Sequence, residues 1–170
     1  MIIPTDFRRC NPDKSRVRIC GVFSGELLYP KLYFIENVTR IVVHSVLTLQ
    51  LPPPWFAVAV DQDTANRVQV VRADYAANPR NASAGPHDVY YLFLPKLTGI
   101  IRTHFAYFQQ AIPSADDWVD SLDAVRLPRN LVGHMNWPNS YDRAAIKRAH
   151  AETKKSLRHL QQSVVPVLVP

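Results

Sequence analysis

Apolar side chains recur mostly every three or four residues along this chain, and prolines interrupt the pattern. This spacing puts the apolar residues on one face of a helix, whereas alternation of apolar and polar residues would indicate a strand. The pattern therefore predicts an all-α bundle of about five to six helices. The predicted helices cover residues 26–51, 55–77, 95–111, 114–127, 128–138 and 140–163.

Prolines and capping residues set the predicted boundaries. The run "LPPP" at 51–54 ends the first helix, because proline lacks the backbone N–H that a helix needs. Ser114, followed three residues later by Asp117, resembles a capping box. Pro128 suits the first turn of a new helix. The stretch "YYLFL" before Pro95 is expected to be strand-like.

The two ends of the chain fall outside the helical pattern. Residues 1–25 are predicted to form an irregular arm, in which "SRVRICGVF" could be a short strand or an extended segment. Residues 26–163 would form the helical domain. The apolar tail "VVPVLVP" at 164–170 either packs on this domain or contacts a partner.

Length and charge narrow the class of protein. The 170 residues fit one domain, and no stretch approaches ~18 uninterrupted apolar residues, so no membrane span is expected. Cys10 and Cys20 are too few for a disulfide framework or a zinc site, and a cytoplasmic location is expected. The net charge of +6 favours an anionic partner, nucleic acid first, although a mildly basic surface would also explain it.

One proline-bounded segment, "LPRNLVGHMNWPNS" (Leu127–Ser140), carries residues suited to cleaving RNA. His134 could move protons near neutral pH. Arg129 could hold the charge that develops on the phosphate oxygens, and Asn130 could orient either group. No cofactor would be needed. The alternative is an ordinary helix start with asparagine near its cap.

The spacing of Arg129 and His134 limits this hypothesis. Five residues apart, they lie roughly 140° apart around a straight helix, so they cannot both face one phosphate from a regular helix. Either Arg129 lies on an irregular first turn after Pro128, or two copies of the segment face each other across a two-fold axis.

The first long helix, "LYFIENVTRIVVHSVL", carries a polar stripe on an apolar background. Glu36, Arg40 and His44 are spaced four residues apart and share one face. Without further context, Glu36 and Arg40 form an ion pair worth about 0.3 kcal/mol. His44 is expected to be a satisfied interior or interface histidine.

The segment "RNLVGH" resembles the R-N-x-x-x-H form of the R-x4–6-H motif of the HEPN superfamily (higher eukaryotes and prokaryotes nucleotide-binding domains). The first helix and the following "PPPWF" are similar to the same superfamily, and the likeness spans about 28–160. It implies a small helical domain, commonly a homodimer, that acts as a metal-independent ribonuclease in toxin–antitoxin, phage-defence or CRISPR systems.

The resemblance also implies residue roles. Arg129 would bind the scissile phosphate, His134 would be the general acid or base, and Asn130 would orient one of them. Glu36 and Arg40 would position the motif. An antitoxin or another protein could be a partner. Some HEPN domains lack catalysis, so the alternative is a module that binds a nucleotide, RNA or a protein.

The last predicted helix is rich in basic residues. They could form a track for RNA phosphates beside the motif, with Tyr141 stacking on bases, or they could be only a solvated helix face. The candidate RNA-binding residues are Tyr141, Arg143, Lys147, Arg148, Lys154, Lys155 and Arg158.

Overall fold

A computed structural model describes residues 14–80 and 82–170, and over these residues the chain is helical with no strand. The all-α prediction is therefore confirmed. A π-helical turn at Ser24–Leu28 joins the first two helices, and a 3₁₀ turn at Asp88–Tyr91 replaces the expected strand-like lead-in. The helices are α1 (Lys14–Phe23), α2 (Tyr29–Gln50), α3 (Trp55–Ala59), α4 (Gln62–Ala77), α5 (Leu94–Thr103), α6 (Phe105–Ala111), α7 (Ala115–Gly133) and α8 (Ser140–Gln162).

The expectation of an irregular arm or a strand is wrong for residues 14–25, which are helical; residues 1–13 lie outside the described residues. Helix α1 buries little: Cys20 is buried, whereas Val17 and Val22 are exposed. A helix with so narrow a buried face leaves a weak periodic signal in the sequence. The π-helical turn precedes Pro30, which lacks the N–H for a regular helical bond at that point.

Helix α2 runs through the centre of the bundle and packs against α5, α6 and α8. Ile35 and Val42 on α2, Trp118 on α7 and Leu160 on α8 have no solvent exposure. All three tryptophans, Trp55, Trp118 and Trp137, are buried. The apolar faces of α2, α7 and α8 thus share one core.

The helical segment Val17–Gln50 is long and apolar enough to cross a membrane by length and composition, with a mean hydropathy of 1.2 over its most apolar window. Half of that window is buried inside the bundle. The segment includes α2 and lies near the N-terminus, and both a core helix of a soluble protein and a signal sequence can have this length and composition.

Helix α7 corrects the predicted break at Pro128. It continues from Ala115 to Gly133 with Pro128 in its interior, so the motif is at the end of a helix and not at its start. An interior proline costs about 3 kcal/mol. Pro128 is buried, and its packing offsets part of this cost.

The caps of α7 and α8 differ from the sequence prediction. Ser114 makes no side-chain cap bond to α7, and its hydroxyl is buried without a hydrogen-bond partner among the described residues. A capping box is present instead at α8, where Asn139 and Asp142 bond to each other's backbone N–H groups at 3.0 and 2.8 Å.

Two other predicted helices are each divided. The 55–77 prediction corresponds to α3 and α4, because Asp61 leaves the helical conformation and caps α4 through the Thr64 N–H at 2.7 Å. The 95–111 prediction corresponds to α5 and α6, which are separated at His104. The 140–163 prediction agrees with α8 to within one residue.

The apolar tail packs on the body of the protein. Val165 is buried, and the Leu168 N–H donates to the Ser45 hydroxyl on α2 at 2.8 Å. The Tyr90 hydroxyl donates to the carbonyl of Pro170 at 2.7 Å. Of the two alternatives for the tail, the structure shows packing on the domain.

A pair of histidines beside α3 is expected to make folding stability depend on pH. The Trp55 indole donates to His44 Nδ1 at 3.1 Å, and the Val89 N–H donates to His87 Nδ1 at 3.1 Å. Burial lowers the pKa of both histidines, and the proximity of His87 lowers the pKa of His44 further. The expected interior role of His44 agrees with these contacts.

Because the folded-state pKa values lie below those of the unfolded chain, the unfolded chain takes up protons first as the pH falls. We therefore expect the free energy of unfolding to fall as the pH drops below about 6.5. Urea denaturation at about pH 7.5 and pH 5.5 measures this. A His44→Asn/His87→Asn variant keeps acceptors but cannot titrate, so its dependence on pH should be shallower. If the free energy of unfolding depends equally on pH in the wild type and in the variant, these two histidines are not its cause.

Candidate functional site

The end of α7 and the middle of α2 enclose a cavity of about 690 Å³. The five central residues that the sequence predicts all line it: Glu36, Arg40, Arg129, Asn130 and His134. They lie in two segments about 90 positions apart, and the packing of the bundle brings these segments together.

Glu36 holds two arginines at once. Its Oε2 accepts from Nε and Nη2 of Arg129, both at 3.2 Å, and its Oε1 accepts from Nη2 of Arg40 at 2.6 Å. Nη1 of Arg129 also donates to Asn130 Oδ1 at 3.3 Å. The Glu36–Arg40 pair is therefore more than the isolated i,i+4 pair that spacing alone indicates, because it fixes the motif on α7.

Arg40 is fixed by further contacts. Its Nη1 donates to Asn37 Oδ1 and its Nη2 to the carbonyl of Leu92, both at 3.0 Å. Its Nε is buried and has no acceptor among the described residues. A buried donor without a partner costs free energy, and an acceptor that enters the cavity could satisfy it.

The charges around the cavity favour an anion. One carboxylate lies between two guanidinium groups, so the trio carries a net charge of +1. The side chains of Glu36 and Arg40 are only 13% and 12% exposed, whereas that of Arg129 is 30% exposed. The Arg129 guanidinium also lies over the exposed ring of Phe93, at 5.6 Å from its centroid. Arg129 is thus held in position while part of it stays open to a ligand.

The end of α7 allows Arg129 and His134 to line the same cavity, which a regular helix would not allow. The helix stops at Gly133, and His134 adopts φ −91° and ψ 20°, outside the regular helix. Met135 follows in the left-handed region with φ 59°. The Asn136 N–H donates to the Leu131 carbonyl and the Met135 N–H to the Val132 carbonyl, each at 2.9 Å, which is a Schellman motif.

Because His134 has left the helix, the 100° rotation per residue no longer fixes its direction relative to Arg129. Both residues can therefore line one cavity within a single copy of the chain. The prediction that Arg129 lies on an irregular first turn after Pro128 is wrong, because Arg129 lies inside α7; the chain leaves the helix only after Gly133.

His134 is exposed, and within the described chain its imidazole makes no hydrogen bond or ring contact. Both ring nitrogens are thus available to exchange protons with a ligand. Its backbone is held by the helix end, because its N–H donates to the Asn130 carbonyl at 2.9 Å.

Four tyrosines that the sequence reasoning missed also line the cavity: Tyr29, Tyr33, Tyr75 and Tyr90. Tyr29 and Tyr33 are exposed on α2 and precede Glu36 by seven and three residues. That helical spacing was available in the sequence and places them on the face of Glu36. Tyr75 and Tyr90 come from α4 and the 3₁₀ turn, and only the tertiary fold brings them to the site.

The candidate RNA-binding residues of α8 do not line the cavity. Arg143 instead donates to the Pro138 carbonyl at 2.7 Å and lies over the rings of Phe23 and Trp137. Lys155 pairs with Glu152 at 3.7 Å, and Tyr141 is exposed. Exposed basic side chains elsewhere on this helix are those of Lys147, Arg148, Lys154 and Arg158.

The site combines a fixed cation, a free imidazole and a cavity large enough for a nucleotide-sized ligand. Among the described residues, no group of three or more His, Cys, Asp or Glu side chains could hold a metal ion. The arrangement can bind a phosphate group and move a proton beside it. No protein-family model, curated protein or solved structure matches the chain.

Proposed function

We propose that the protein is a metal-independent endoribonuclease of the HEPN type that acts in the cytoplasm in toxin–antitoxin, phage-defence or stress responses. One observation carries the proposal: Arg129, Asn130 and His134 line one cavity with the buried Glu36–Arg40 pair. The net positive charge of the trio and the free imidazole are what phosphate binding and proton transfer require.

The guanidinium group of Arg129 holds the non-bridging oxygens of the scissile phosphate, and the Glu36–Arg40 pair positions this guanidinium. The ribose 2′-oxygen attacks the phosphorus and loses its proton, and the bond to the 5′-oxygen breaks as that oxygen gains a proton. The products are a 2′,3′-cyclic phosphate and a 5′-hydroxyl. His134 takes up or donates one of these two protons.

The other proton transfer motivates a two-fold dimer. Among the described residues, one histidine lines the cavity of each copy, whereas the reaction needs both a base and an acid. A second copy that faces the same cleft would supply another His134. This arrangement gives the homodimer a chemical role, and an antitoxin could act by covering the cleft.

A non-catalytic module that binds a nucleotide, RNA or a protein is the second candidate. The observation that favours it is the Glu36–Arg129 contact, because two donors of Arg129 already have an acceptor within the chain. In this case ligand affinity would be unaffected by His134→Ala.

The test is cleavage of several single-stranded and structured RNAs in excess EDTA. We expect the wild-type protein to produce 2′,3′-cyclic phosphate ends and the Arg129→Ala/His134→Ala variant to produce none. An Arg126→Ala/His104→Ala variant is the matched control, because both residues lie outside the lining of the cavity. No cleavage by the wild type, or equal cleavage by wild type and the first variant, would contradict the proposal.

A further inference from the structure

A second cavity, of about 430 Å³, adjoins the first. Its lining is almost entirely apolar and comes from α1, the π-helical turn and the segment after α7. Tyr29, Val132 and Gly133 line both cavities, so the two cavities share a wall at these residues. A ligand that has its phosphate at Arg129 could therefore extend into the apolar cavity.

Trp137 forms part of the apolar cavity and carries a donor without an acceptor. The side chain is buried, with 6% of the residue exposed, and its indole N–H has no hydrogen-bond partner among the described residues. The other two tryptophans differ: the Trp55 indole donates to His44, and the Trp118 indole donates to Thr153 at 3.1 Å. Buried indole N–H groups usually find an acceptor, so the Trp137 donor is available to an acceptor that a ligand could bring.

The shape of the lining suits a flat ring. Tyr29 and Trp137 provide aromatic surface, and Phe23 lies 5.1 Å from Trp137, between ring centroids. Gly21 and Gly25 provide a wall without side chains, and a Cβ added at either would meet no atom within 4 Å. Among the described lining residues, the non-aromatic polar side chains are those of Ser24 and Asn136.

We infer that the apolar cavity receives the base of the nucleotide next to the scissile phosphate, and that a ring nitrogen or carbonyl of the base accepts from the Trp137 indole. The inference rests on the proposed function for the position of the phosphate. A nucleobase fits because it combines an apolar face with acceptors at its edge, and because the phosphate it is attached to would lie in the adjoining cationic cavity. The bound nucleotide must be unpaired, since a base held in a duplex cannot insert its edge into the cavity.

The experiment follows the three indole N–H signals in the ¹⁵N–¹H NMR spectrum of the full chain, with the Trp137 signal assigned by its loss in Trp137→Phe. The probes are the four nucleoside 3′-monophosphates. Inorganic phosphate and ribose 5-phosphate separate binding of the base from binding of the anion alone. We expect at least one nucleotide to shift the Trp137 signal saturably and downfield, as a new hydrogen bond requires, while the signals of Trp55 and Trp118 stay in place.

A Gly25→Leu variant fills the cavity from its glycine wall and is expected to abolish the shift without loss of folding. Gly99→Leu is the matched control, because Gly99 is also exposed on a helix with no atom within 4 Å of an added Cβ, and it lies outside the cavity. A shift with phosphate alone, a shift retained in Gly25→Leu, or no shift with any nucleotide would overturn the inference.

This readout does not depend on cleavage. RNA cleavage without any nucleotide-induced shift would overturn the base cavity and leave the nuclease proposal standing. A nucleotide-specific shift of the Trp137 signal without any RNA cleavage would support the base cavity and overturn the nuclease proposal.

Discussion

His134→Ala is expected to lower the rate of RNA cleavage by about 10²- to 10⁴-fold, the usual contribution of a positioned general acid or base. The imidazole lines the cavity and makes no hydrogen bond within the described chain, so its removal should take away proton transfer and little else. Initial rates on a labelled single-stranded RNA in EDTA measure the effect. Because His134 is exposed, the free energy of unfolding should stay within about 0.5 kcal/mol of the wild-type value.

Imidazole added to the buffer separates chemistry from structure in this variant. It should restore part of the cleavage rate of His134→Ala, because a small base can occupy the space that the side chain leaves. It should not accelerate Arg129→Ala, which lacks the proposed phosphate-binding group. His104→Ala controls for loss of a histidine away from the cavity and should cleave at the wild-type rate. If His134→Ala cleaves within a few-fold of the wild type, this residue is not the general acid or base.

The sequence predicts the helical class well because most helices bury a broad apolar stripe, as α8 does with Ile146, Ala149 and Leu160. It fails where burial is small or where tertiary packing overrides a local preference. Helix α1 buries too little surface to give a periodic pattern. Pro128 is a local signal for a helix start, but in this chain its burial keeps it inside α7.

The residues that line the cavity from α2 and α7 could be singled out from the sequence as candidates because their spacing is local: Arg129 and His134 are five positions apart, and Glu36 and Arg40 share a helix face. Their geometry was not predictable. The contact between Glu36 and Arg129 joins residues 93 positions apart. The apolar cavity beside Trp137 depends on where α1 lies, and the pattern of α1 did not predict a helix at all.

The Glu36 carboxylate is expected to be the most important polar group for stability at the site. Glu36→Gln removes the charge that neutralises Arg40 and Arg129 and leaves two guanidinium groups beside each other in a mostly buried place. Breaking a buried ion pair from one side costs about 3–5 kcal/mol. Because Arg129 is partly open to solvent, we expect a loss of about 2–3 kcal/mol in the free energy of unfolding, measured by urea denaturation.

The chain contains a control with the same spacing and a different environment. Asp63 and Arg67 on α4 are also an i,i+4 pair, at 3.0 Å, but their side chains are 69% and 76% exposed. Asp63→Asn should therefore cost only about 0.5 kcal/mol, because solvent screens an exposed pair. Equal small losses in both variants would mean that Glu36 stabilises the fold no more than one member of an exposed i,i+4 ion pair does. We expect a large loss only in Glu36→Gln. RNA cleavage should also fall in this variant, because Arg129 loses the carboxylate that positions it. Both results together would identify the Glu36 carboxylate as a group that stabilises the fold and positions Arg129.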